Sequence, residues 1–126
     1  MKIKKLHNQG NHLILDGSSK AELDDIKMIE KLLLELAKRI KMTPISEPLV
    51  VYHQAKDKSE SGVTGTILLA ESNITIHTYP AKSWFCLDIY SCKEFPIKEV
   101  TNFLKKELKI KAFKSQLLKR GFYGKN

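Results

Sequence analysis

Between about Lys20 and Lys41 the apolar residues Leu23, Ile26, Ile29, Leu33, Leu36 or Ala37, and Ile40 recur at steps of three and four. That period predicts an amphipathic helix with one face in a core. Acidic Glu22, Asp24 and Asp25 at its start and basic Lys38, Arg39 and Lys41 at its end suit the helix dipole. Pro44 stops it. A second helix opens at Pro96, with Ile97, Val100, Phe103, Leu104 and Leu108 as its buried stripe. Elsewhere the period is two. Trp84 to Cys92 sets Phe85, Leu87 and Ile89 against Cys86, Asp88, Tyr90 and Cys92, the clearest strand pattern in the chain. His12 to Asp16, ending in the turn cluster Asp16-Gly17-Ser18-Ser19, reads as a strand, as do Pro48 to His53 and Gly62 to Leu69. Ile74 and Ile76 alternate with Thr75 and His77 in a further strand, and the run from Ile110 to Leu118 supplies a last one. Residues 1–9 read as basic, irregular and partly disordered, and Gln54 to Ser61 as a charged loop. The order strand, helix, strands, helix predicts an α+β fold: an antiparallel β-sheet with two helices packed on one face. The 126 residues suit a single domain, 1–126.

A hydrophobic fraction of 42% and a charged fraction of 29% are globular values. No apolar run approaches the roughly 20 residues that cross a bilayer, and the Lys-rich start lacks an apolar signal core. A cytoplasmic protein with no membrane partner is expected. Cys86 and Cys92 share one predicted strand, which holds their Cα atoms roughly 20 Å apart, too far to pair. His7, His12, His53 and His77 are not spaced like a zinc site, so no metal is expected. The net charge of +8 is uneven: residues 1–92 carry 12 basic and 11 acidic side chains, residues 93–126 carry 10 and 3. Such a tail could touch RNA or anionic lipid. No nucleic-acid motif or stacking aromatics accompany it, so it reads as a solvated face and nucleic acid is not an expected partner.

The two central strands meet at Ala70-Glu71-Ser72-Asn73, followed by Ile74-Thr75-Ile76-His77-Thr78-Tyr79-Pro80. On pattern alone this is a hairpin whose polar residues serve turn chemistry. Glu71-Ser72 with Ile74-Thr75-Ile76-His77-Thr78-Tyr79-Pro80, and Asp88-Ile89-Tyr90-Ser91-Cys92 downstream, resembles the signature of the small prokaryotic S-adenosylmethionine decarboxylase family. Gly10-Asn11-His12-Leu13 and Gly62-Val63-Thr64-Gly65 resemble it too, so the likeness runs from about residue 10 to about residue 110. It implies the sandwich layout already read from the periodicity.

Decarboxylating an α-amino acid leaves a carbanion beside nitrogen, which a conjugated electron sink makes tolerable, and none of the twenty side chains is such a sink. No cofactor-binding fingerprint is visible in the sequence. The resemblance implies that the chain makes its own: the Ser72 hydroxyl attacks the Glu71 carbonyl, the chain breaks between Glu71 and Ser72, and the serine remnant becomes an N-terminal pyruvoyl group. The products are a β chain of residues 1–71 and an α chain of residues 72–126. The pyruvoyl group then forms a Schiff base with the substrate amine. By the same resemblance His77 is the processing proton acceptor, Thr64 stands where the family usually has a serine that helps processing, and Cys92 is the proton donor that returns a proton to the substrate carbon. A homodimer of processed protomers and a place in polyamine and spermidine biosynthesis are implied as well. Ser72 and His77 are five apart, so an ideal strand points them to opposite faces. A turn or bulge at Ser72-Asn73 is the expected correction. Without the motif, Cys92 reads as a small buried hydrophobe, and His12 and Tyr79 read as packing residues.

The sequence departs from the family in two further places. After His-Thr-Tyr-Pro the family has a glutamate that contacts the ribose of the substrate, and here that residue is Ala81. The loop before the hairpin usually supplies an aromatic that stacks on adenine, and Gln54 to Ser61 has none. Family relatives act on arginine or ornithine, so L-arginine or L-ornithine is the alternative to S-adenosylmethionine as substrate. A cationic side chain would want a carboxylate, and Asp88, Glu60 and Asp57 are candidates, Asp88 on the strand face of Cys92. Two readings from other classes stand beside the enzyme: a non-catalytic regulatory paralogue, which stays whole, and a basic RNA-associated domain.

Overall fold

A computed structural model describes the backbone of residues 3–125 and the side chains of residues 10–122. Six strands run β1 (Ile3–Ser19), β2 (Leu49–His53), β3 (Gly62–Leu69), β4 (Ser72–Tyr79), β5 (Trp84–Ser91) and β6 (Ile110–Lys125), with helices α1 (Ile26–Arg39) and α2 (Ile97–Glu107). They form one antiparallel sheet in the order β2-β3-β4-β5-β1-β6. Alternation decides the two faces. Leu13, Leu15, Ile67, Ile74, Ile76, Phe85, Leu87 and Ile89 point to one side and are buried under the helices, which add Ile29, Leu33, Leu36, Val100 and Leu104 to the same core. Gly65 lies beneath α1, where an added Cβ would meet Ile29 and Leu33 at 3.1 and 3.3 Å. The other side, bearing Thr64, Thr66, His77, Cys86 and Asp88, has no helix over it among the described residues. The α+β sandwich expected from periodicity is the fold found.

Helix α1 starts later than the hydrophobic period suggests. The Asp25 side chain accepts from the Met28 N–H at 3.1 Å and fixes the start at Ile26. Leu23 is buried nonetheless, from the preceding loop, whose carbonyl at Leu23 accepts the Thr78 hydroxyl at 2.8 Å. The larger difference lies at the ends of the chain. Residues 3–9, expected to be irregular, continue β1 and pair with the far part of β6, as in Ile3 with Lys125 and His7 with Phe122. Each end gives the other a partner for its backbone groups, a long-range pairing that local composition does not reveal. Residues 1 and 2 lie outside the described residues. Among the described residues no helix is long and apolar enough to cross a membrane.

Candidate active site

The β3–β4 ladder runs without interruption from Leu69–Ser72 to Thr64–His77, and the β4–β5 ladder from Ser72–Ser91 to Tyr79–Trp84. Ser72 is therefore the first residue of β4, held between two neighbours. Its side chain points to the helix side and is 8% exposed, and its Oγ accepts the Cys92 N–H at 3.3 Å. A hydrogen-bond donor aimed at that oxygen favours negative charge developing on it. Cys92 stands one residue past the end of β5, half-buried against the core. Glu71, Ser72, Asn73, Tyr90 and Cys92 line an open cleft of about 400 Å³ at this end of the hairpin.

The cleft continues along the helix-free face through Asn73 and Tyr90 into a second one of about 510 Å³, lined also by His12, Thr75, Asp88 and Arg120. Here His12 Nε2 lies 3.3 Å from Asp88 Oδ1, the His12 ring meets Tyr90 edge-on at 6.5 Å, and the Arg120 guanidinium sits 5.3 Å over the Tyr90 ring. His12, expected to be a packing residue, is thus the partner of Asp88. Asn73 and Tyr90 are not among the residues the sequence singles out for the site. Alternation alone puts them beside Thr75 and Asp88 once β4 and β5 are in register.

The remaining candidates gather at the opposite end. Thr64 Oγ1 lies 3.1 Å from His77 Nδ1 across the β3–β4 pair. Cys86 is the register partner of His77 on the other side, and burial, with the negative charges of Asp16 and Asp88, pushes its thiol up. Tyr79 is also pushed up, chiefly by burial and then by Cys86, and stacks on Trp84 at 4.5 Å. Glu60, in a short 3-10 helix over Lys58–Glu60, pairs with Lys82 at 3.0 Å, and Lys82 follows Ala81 in the turn after β4. Asp57 caps that short helix, accepting from the Ser59 N–H at 2.9 Å, which holds its carboxyl below the usual range. The structure thus joins Ser72 with Cys92 and Thr64 with His77, and keeps the pairs apart. The bulge expected at Ser72-Asn73 is absent, because both ladders there keep a one-to-one register. Five strand steps of roughly 3.3 Å separate Ser72 from His77, about 16 Å, on opposite faces.

The family model for S-adenosylmethionine decarboxylase matches residues 11–121, nearly the whole chain. The chain belongs to the S-adenosylmethionine decarboxylase family. Among its relatives, the S-adenosylmethionine decarboxylase proenzyme of Methanococcus vannielii is 39% identical over 103 residues, 76% of this chain and 80% of that one. The S-adenosylmethionine decarboxylase proenzyme of Clostridium botulinum is 28% identical over 115 residues, 89% of this chain and 94% of that one. The crystal structure of the adenosylmethionine decarboxylase from Aquifex aeolicus superposes with a TM-score of 0.72 at 28% identity, covering 94% of this chain and 95% of that one. Family membership and fold thus agree over the same span.

Proposed function

We propose that this protein is a self-processing, pyruvoyl-dependent S-adenosylmethionine decarboxylase that works in the cytoplasm on the route to spermidine. The observation that carries the reading is Ser72 at the hairpin tip, its hydroxyl receiving the Cys92 N–H in a cleft that Cys92 also lines. Self-cleavage begins when Ser72 Oγ bonds to the Glu71 carbonyl carbon, the C–N bond breaks, and the hydroxyl proton passes to the Ser72 nitrogen. Loss of the Ser72 α-proton then expels the Glu71 carboxylate and breaks the chain. Water replaces the nitrogen of the remnant, ammonia leaves, and a pyruvoyl group remains on the chain of residues 72–126. The residues present fit that group: a buried serine as its source, a backbone N–H on its oxygen, and a thiol in the same cleft. Its conjugated carbonyl supplies the electron sink that decarboxylation needs. Cys92 holds the proton that returns to the substrate carbon.

The α-proton needs a base, and the imidazole of His77 is a side chain that can take a proton. At about 16 Å along the strand, it is too far to serve Ser72 of its own protomer. A homodimer resolves this. Two copies packed through the helix-free faces, each hairpin crossing the other, bring the partner's His77 and the partner's Thr64 to Ser72 and Cys92 twice over, as a two-fold interface does. Leu49, Val51 and Leu68, 63%, 52% and 51% exposed and on that face, favour such packing.

Ala81 offers a sugar diol nothing to accept its hydrogen bonds; at that end of the hairpin, which meets the partner's Ser72 in the homodimer, the Glu60 carboxylate paired with Lys82 at 3.0 Å supplies the acceptor. This favours S-adenosylmethionine over arginine or ornithine. Asp88, already paired with His12, is the carboxylate nearer Ser72 for the substrate's cationic centre.

Intact-mass analysis after denaturing electrophoresis tests the reading. Wild-type protein should give two fragments, one ending at Glu71 and one beginning with a blocked Ser72 remnant, and a Ser72→Ala chain should stay whole. Carbon dioxide release from S-adenosylmethionine, arginine and ornithine in parallel then checks the substrate. A wild-type chain that stays single after long incubation removes the enzyme reading and favours the regulatory one.

A further inference from the structure

Glu71 has φ 64°, in the left-handed region that L residues other than glycine and asparagine rarely adopt. Lys41 and Lys109 share that conformation, but each follows the last turn of a helix, where a left-handed residue is a common way to end. Ser83 shares it in a surface turn. Glu71 alone adopts it inside a two-residue connection between paired strands, and it is the residue whose carbonyl Ser72 would attack. The chain on either side is fixed. The Ala70 N–H donates to the Thr43 carbonyl at 2.8 Å, Ile45 N–H to the Leu68 carbonyl at 2.9 Å, and Leu68 N–H to Ser46 Oγ at 3.1 Å. On the other side Ser72 is locked to Leu69 and Ser91 and takes the Cys92 N–H on its hydroxyl. Between two such anchors Glu71 cannot rotate to negative φ without breaking one of them, which is the condition under which backbone strain persists.

We propose that Glu71 is a positioning residue for self-cleavage, its strained backbone loading the bond that breaks. The inference rests on the cleavage reading above. When the Glu71 carbonyl moves from the Ser72 nitrogen to the Ser72 oxygen, two single bonds, Cβ–Oγ and Cα–Cβ, replace the single N–Cα bond in the connection between the anchors and lengthen it by one atom. Glu71 then has room to return to negative φ, and the left-handed penalty is released as the amide is lost. The side chain takes no part: it is exposed, and its charge is dispensable.

The rate of self-cleavage, followed by intact mass in freshly translated protein, separates the possibilities. Glu71→Gln keeps the strain without the charge and should cleave within about twofold of wild type. Glu71→Gly and Glu71→Asn accept the left-handed conformation and should cleave about 5- to 30-fold more slowly, the rate equivalent of the roughly 1–2 kcal/mol that the conformation costs other residues. In the uncleavable Ser72→Ala background, Glu71→Asn should unfold at higher urea than Glu71→Gln. Asparagine is the test there because glycine also loosens the unfolded chain. Glu71→Asn cleaving at the rate of Glu71→Gln would overturn the proposal, as would equal urea midpoints. Slowing in Glu71→Gly alone would overturn it too, by assigning the effect to backbone freedom. A wild-type chain that never cleaves while the urea difference holds would instead remove the cleavage reading, and with it the use assigned to the strain.

Discussion

Thr78 is 2% exposed, and its hydroxyl makes two short hydrogen bonds besides a longer contact of 3.4 Å to the Val63 carbonyl. It donates to the Leu23 carbonyl at 2.8 Å and accepts the Val63 N–H at 3.0 Å, one step beyond the last β3–β4 pair, Thr64 with His77. The loop before α1, strand β3 and the neighbour of His77 thus meet on one oxygen. Thr78→Val keeps the shape and leaves a buried carbonyl and a buried N–H unpaired, at about 1–3 kcal/mol each and about 2–6 kcal/mol together. Thr78→Ser keeps the hydroxyl and removes one methyl group, worth about 0.8 kcal/mol. With roughly 2 kcal/mol lost per molar urea for a domain of this size, Thr78→Val should lower the unfolding midpoint by about 1–3 M and Thr78→Ser by under about 0.5 M. The measurement belongs in the Ser72→Ala background, so that one unbroken species unfolds. A hydrophobicity argument orders the pair the other way, since valine is the more apolar residue. If Thr78→Ser proves as costly as Thr78→Val, the polar reasoning is wrong.

Two further outcomes rest on the same geometry. A Cβ at Gly62 would lie 1.8 Å from the Thr78 carbonyl oxygen and 2.8 Å from its carbon, backbone that cannot yield, whereas one at Gly65 would meet only side-chain methyls at 3.1 to 3.3 Å. Gly62→Ala should therefore destabilise the protein by about 3 kcal/mol or more in urea titration and Gly65→Ala by about 1–2 kcal/mol. The Cys86 thiol is pushed up by burial and by the negative charges of Asp16 and Asp88, so at pH 8 less of it is thiolate than in an ordinary cysteine. Removing one of those charges in Asp16→Asn brings its pKa down, and iodoacetamide labelling at fixed pH, read on the Cys86 peptide by mass spectrometry, should speed up roughly two- to fivefold.

The elements that bury one face were legible in the sequence, because a period of two or of nearly four leaves a mark that any short window carries. The strand from Trp84, the hairpin around Ser72 and both helices are of that kind. What the sequence hid depends on partners far along the chain. Residues 3–9 have no apolar alternation to announce them and become a strand only because the chain's other end lies alongside. Leu23 fits the helical period yet is buried from a loop, since Asp25 caps the helix after it. At the candidate site, Ser72 and Cys92 come together through the pairing of β4 with β5. The bulge failed for a physical reason: it was required only if Ser72 and His77 had to meet within one chain, and two unbroken ladders leave no residue to spare for it.

The strand order also fixes what a cut between Glu71 and Ser72 would leave behind. Strands β1, β2 and β3 would belong to the N-terminal piece and β4, β5 and β6 to the C-terminal one, yet β1 lies between β5 and β6. The two pieces are interlaced: one lends a strand to the middle of the other's share of the sheet, with hydrogen-bonded neighbours along both sides. Pulling them apart would mean unzipping three ladders at once, β3 from β4, β5 from β1 and β1 from β6. The backbone bond at the hairpin tip is thus a connection this sheet can lose without coming undone.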